Sequence, residues 1–95
     1  MTVKLIRMSS GEDLIATLNK ETDTNIVIQD AIVAVPTGSG SIGFVPWSPI
    51  LSKDQKELTV EKTFVVYIAE PDEGVVKQYG IMFNKIITPS KKLIQ

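Results

Sequence analysis

The chain has 95 residues, 43% hydrophobic and 22% charged, the balance of one small globular domain rather than a disordered segment. It contains neither Cys nor His, which removes disulfides, thiolate or imidazole metal sites, and every catalytic arrangement built on an imidazole. A formal net charge of −1 argues against a dedicated duplex-DNA binder, whose affinity rests on phosphate contacts from a strongly basic surface.

No apolar run approaches the roughly 20 residues that span a bilayer. The first residues lead straight into a strand-like run instead of a signal peptide, so a cytoplasmic location is expected. Residues 3–8 are β-branched and apolar residues broken by charges, too short for a helix, and predict a first strand. A turn follows at 9–12, where Gly11 supplies a positive φ that other residues avoid. Residues 13–20 predict a second strand, with Leu14, Ala16 and Leu18 on one face and Ile15 and Thr17 on the other. The small Ala16 on the inward row lets the strand bend over a barrel interior. After a polar loop at 21–24, residues 25–36 predict a long third strand with Ile26, Ile28 and Ile32 on one face. Gln29 and Asp30 interrupt its apolar run, which predicts a bend or bulge near Ala31. Pro36 ends this strand or places it on an edge.

Residues 37–41, Thr-Gly-Ser-Gly-Ser, form a loop by composition. Residues 42–51 are extended again, although Pro46 and Pro49 keep them out of the middle of a sheet. Trp47, between those prolines, caps the barrel or fills a subunit contact; the sharper alternative is a stacking platform for a base. A solvated turn at 52–57 precedes extended stretches at 58–61 and 63–69. Phe64, Val65, Val66, Tyr67 and Ile68 are the most strand-prone run and carry no charge. Such an edge must be covered or paired, and the next subunit is a natural partner.

A helix is expected over 71–86. Pro71 suits a first turn, and Asp72 and Glu73 suit the helix dipole. Val75, Val76, Tyr79, Met82, Phe83 and Ile86 follow at helical spacing as one apolar face. Gly74 and Gly80 each cost about 1 kcal/mol relative to Ala, so this helix needs docking. Thr88-Pro89-Ser90 stops it, leaving a tail at 87–95. The paired carboxylates Glu12/Asp13 and Asp72/Glu73, and Glu61, read as solvated turns rather than as catalytic pairs. With no phosphate loop, dinucleotide fingerprint or metal-ligand cluster, the chain is not expected to be an enzyme or to hold a cofactor.

Residues 8–11, Met-Ser-Ser-Gly, followed by Leu14, Ala16 and Leu18, resemble the first motif of the Sm and Sm-like (LSm) proteins. Residues 25–31, Asn-Ile-Val-Ile-Gln-Asp-Ala, resemble its second half. The whole chain is also similar to small Sm-like proteins of marine bacteriophages, in which Ser-Gly-Glu, Pro-Trp and Glu-Pro recur in this order. The resemblance implies a mainly β fold: a small, five-stranded, strongly bent antiparallel barrel of the SH3 type over residues 2–70. A C-terminal helix follows that covers the barrel or binds a partner, and the family's N-terminal helix is missing. Phage encoding would make the location the host cytoplasm.

The resemblance further implies a homo-oligomeric ring of about five to seven subunits, a closed heterologous assembly, in which the fourth strand of one barrel pairs with the fifth of the next. The apolar run at 64–68 suits that role. The implied ligand is single-stranded RNA or DNA, with a role in RNA or DNA processing. Asn25 would hydrogen-bond a base edge, because its amide offers donors and an acceptor at once. Glu61 and Lys62 stand at the place of the family's Arg-Gly; Lys62 would keep the positive charge and meet phosphate or base, and the backbone near Thr24 would assist. Glu21 stands where the family favours Asp, and Asp23 where an aromatic or His stacks on the base; an acid cannot stack and repels phosphate. The plainer readings are a loop Asn25 capping its own turn and an exposed turn Lys62. Repeated around a ring, one Lys62 per subunit would gather positive charge at a pore lip. The competing reading is an oligomeric phage accessory or structural protein-interaction module without nucleic-acid binding. The acidic balance, the Pro-Trp segment and the C-terminal helix favour it.

Overall fold

The computed structural model describes residues 2–38, 40–48, 50–52 and 54–83. Period-two alternation of apolar residues builds its sheet. Strands β1 (Thr2–Met8) and β2 (Asp13–Glu21) form an antiparallel hairpin in which Ile6 faces Leu14 and Lys4 faces Ala16. Gly11 closes the turn at φ 101°, a left-handed geometry that a Cβ resists. There the Met8 N–H donates to the Glu12 carbonyl at 2.9 Å, and the Gly11 N–H to the Met8 carbonyl at 2.9 Å.

β3 (Asn25–Pro36) runs antiparallel to β2, and β4 (Ile42–Pro46) folds back on its C-terminal half. β5 (Leu58–Glu61) pairs with the N-terminal half of β3, Ile28 opposite Leu58 and Asn25 opposite Glu61. A single 3-10 turn, Lys62–Phe64, leads into β6 (Val65–Ala69), which lies against β1. The order across the sheet is β4-β3-β2-β1-β6, with β5 in line with β4 along β3. Six strands therefore stand where five were expected, and the sheet is not a closed barrel: β5 and β6 are joined by the turn without being paired. The reason lies in β3. Its 12 residues are long enough to take two short strands end to end. Pro46 stops β4, so the extended stretch expected over 42–51 is a strand only as far as that proline.

The expected bulge in β3 is present and decides which residues meet. Register shifts between Ile15 and Thr17, where Ile15 faces Ile32 but Thr17 faces Gln29, so β3 carries one extra residue. Asp30 absorbs the kink at φ 54°. One inserted residue flips the alternation downstream. Ile26 and Ile28 pack in one cluster, whereas Ile32 lies in the other, on the opposite face of the sheet, contrary to the single row expected.

The first cluster joins Ile6, Met8, Leu14, Ala16, Ile26 and Ile28 on the concave face, with Trp47, Val60 and Val65 packed around it. Each fully buried Ile or Leu contributes about 2 kcal/mol. The second cluster joins Ile15, Ile32 and Tyr79, with Leu5, Phe44, Val75 and Phe83 around it. Helix α1 (Glu73–Met82) thus covers the outer face of the sheet. Asp72 caps it, its carboxylate accepting from the Gly74 N–H at 3.0 Å. The docked row is Val75, Tyr79 and Phe83, at steps of four. Met82, expected on that face, is 46% exposed; Ile86, the end of the expected helix and the 87–95 tail lie outside the described residues. Among those residues no helix is long and apolar enough to cross a membrane.

Candidate nucleic-acid interface

The β2–β3 loop is held by its own polar residues. The Thr22 N–H donates to the Asn25 carbonyl at 2.8 Å, and the Asn25 N–H returns a bond to Thr22 Oγ1 at 3.0 Å. This is the local side-chain capping that Thr and Asn favour in turns. Antiparallel pairing of β3 with β5 then sets Asn25 opposite Glu61. One residue on, the Lys62 N–H donates to the Thr24 carbonyl at 2.8 Å. Two segments far apart in sequence are thereby fastened side by side.

Between them opens a shallow cleft of ≈ 450 Å³, lined by Asp23, Thr24, Asn25, Glu61, Lys62 and Thr63. The structure therefore brings together Asp23, Thr24, Asn25 and Lys62, four of the residues singled out in the sequence. The fifth, Glu21, reaches the group through an ion pair, its Oε2 lying 2.7 Å from Lys62 Nζ. Asn25 uses one amide N–H on Thr24 Oγ1 at 3.1 Å. Its amide oxygen and second N–H are without a protein partner among the described residues. The carboxylates of Asp23 and Glu61 likewise have no partner there. Glu61 and Thr63 are the lining residues that sequence reasoning did not select. The sequence shows Glu61 only as a solvated carboxylate beside Lys62, because the β3–β5 register that sets it opposite Asn25 is a tertiary fact.

A second cleft, of ≈ 400 Å³, adjoins the first at Glu61 and is flanked by Trp47 and Phe64, with Met8, Ser10 and Val60 in its lining. Trp47 packs on the concave cluster, and its Nε1–H donates to Glu12 Oε2 at 3.2 Å. It caps the interior, one of the roles expected of it.

The apolar run at 64–68 divides. Phe64 belongs to the 3-10 turn rather than to the strand and is 54% exposed. Val66 and Tyr67 are 62% and 45% exposed. Val65 and Ile68, expected at the subunit edge with them, are partly buried and pack their side chains on the concave cluster. The cause is a register shift between β1 and β6, at which Met8 faces Val65 but Arg7 faces Tyr67, making Val66 the inserted residue. Among the described residues β6 pairs only with β1, and β5 only with β3, so each has one unpaired edge.

No protein-family model matches the chain, and no curated protein sequence matches it.

Proposed function

We propose that the protein is a ring-forming, Sm-like protein that binds single-stranded nucleic acid, RNA before DNA, in RNA or DNA processing. The observation that carries this reading is the meeting of Asn25 and Lys62 in one cleft, through the Lys62 N–H bond to the Thr24 carbonyl. A half-free amide beside an ammonium and exposed turn backbone suits a splayed base and its sugar-phosphate better than a packed protein surface. Ring closure is supported by the unpaired edges of β5 and β6: adding β6 of one copy to β5 of the next satisfies both, and repetition of that contact around an axis forms a ring.

Native mass spectrometry with and without a short uridine-rich oligonucleotide tests both parts. The expected spectrum is a closed oligomer that takes up the strand. Asn25→Ala with Lys62→Ala is expected to abolish that uptake and leave the oligomer intact. Uptake that survives the double change puts the site elsewhere.

A second reading rests on the exposed Phe64, Val66 and Tyr67: an oligomeric phage accessory or structural module that presents this surface to a protein. An oligomer that ignores every oligonucleotide would favour it.

A further inference from the structure

Resting on the nucleic-acid reading, we infer that Glu61 is a base-specificity residue and that the paired clefts select a base with a donor-rich edge, guanine foremost, over uracil. Three observations point this way. Lys62, the cation of the first cleft, already holds Glu21 at 2.7 Å, so an incoming phosphate competes with a carboxylate for it. The charged groups left over are acceptors, Asp23 and Glu61, which have no partner among the described residues. Glu61 belongs to both clefts, and the second is lined by the exposed Phe64 as well as by Trp47.

A carboxylate can only accept hydrogen bonds. Uracil offers one N–H between two carbonyl oxygens, which an ionised carboxylate repels. Cytosine and adenine each offer an exocyclic amine. Guanine presents N1–H and N2–H₂ side by side, two parallel donors that match both oxygens of one carboxylate. A bidentate pair of this kind discriminates against the wrong base by roughly tenfold or more, and the exposed Phe64 of the second cleft offers the base a stacking surface. The same arrangement predicts shallow salt dependence, because a cation already paired within the protein releases few counterions from phosphate.

The test is fluorescence anisotropy of labelled hexaribonucleotides: all-uridine, all-cytidine, all-adenosine, and uridine with two guanosines or two inosines. Wild type and Glu61→Gln are each measured at two salt concentrations. The guanosine strand is expected to bind about tenfold tighter than the uridine strand. Inosine, which lacks the 2-amino group, should lose most of that advantage, and Glu61→Gln should bring the ratio close to one. Equal or better binding of uridine by the wild type overturns the inference and leaves the nucleic-acid reading standing. A guanosine preference retained in Glu61→Gln overturns the role of Glu61. Failure of every strand to bind overturns the nucleic-acid reading and this inference with it. A native mass spectrum of the variant establishes that its assembly is unchanged.

Discussion

The hydroxyl of Tyr79 lies 3.0 Å from Oγ1 of Thr17, which joins helix α1 to the middle of β2. The same hydroxyl donates to the backbone carbonyls of Asp30, at 2.9 Å, and Gln29, at 3.3 Å. A phenol has one proton and carbonyls only accept, so Thr17 supplies the proton of its own bond to Tyr79. The bulge and the helix are thus mutually dependent: the kink at Asp30 turns out the carbonyls that the helix satisfies.

Tyr79→Phe keeps the ring in the outer cluster and removes this junction. Thr17 and two carbonyls then lose a partner in a buried site, which is expected to lower stability by about 1–3 kcal/mol. Urea unfolding of the two proteins measures it. An unchanged midpoint would mean that water replaces the hydroxyl and that the helix is held by apolar contact alone.

Burial pushes the Tyr79 phenol up to about 12 from an ordinary 10.0. The neutral form is the one the fold favours, so its contribution is fully present below pH 10. It falls as pH rises from 10 toward 12, where the unfolded chain has already lost the proton. Circular dichroism across that window should show wild type losing stability more steeply than Tyr79→Phe. Parallel curves would exclude Tyr79 as the titrating group.

Asp30 sits at φ 54°, where an Asp or Asn is tolerated and a β-branched residue is strained. Asp30→Val is expected to cost about 1–2 kcal/mol, whereas Asp30→Asn should change the unfolding midpoint little. Equal effects of the two would place the importance of Asp30 in its charge rather than in its backbone.

Val66 faces solvent from an unpaired edge, so Val66→Lys should leave the fold within about 0.5 kcal/mol of wild type. A charge at an edge strand blocks pairing with another chain. Sedimentation velocity is expected to show the variant as a monomer and the wild type as a larger species. A variant that still assembles would move the interface away from β6.

The outward-facing half of α1 illustrates how far local pattern reaches. Val75, Tyr79 and Phe83 were legible as a helical row, and they dock. Met82, one step off that row, matches it in hydrophobicity alone and stands half exposed. The candidate site divides in the same way. Thr24 and Asn25 announce a capped turn within a few residues, and Lys62 stood out as the cation of a second turn. That Glu61 belongs beside Asn25 depends on strand pairing across 36 residues of chain, for which no local signal exists.

The sequence by itself determined the local features: the strands, the Gly11 turn, the break at Gln29 and Asp30, and a helix opened by acids at Asp72 and Glu73. Each follows from side-chain period, backbone freedom or a nearby hydrogen bond, and needs no distant partner. Only the tertiary structure decided the rest. A single inserted residue at Asp30 moved Ile32 to the outer face, and another at Val66 turned Val65 and Ile68 inward. The length of β3 let two strands share one edge, which opened the barrel and aligned Glu61 and Lys62 with Asn25. Register is set by the summed fit of many distant residues, and a shift of one reverses every side chain beyond it.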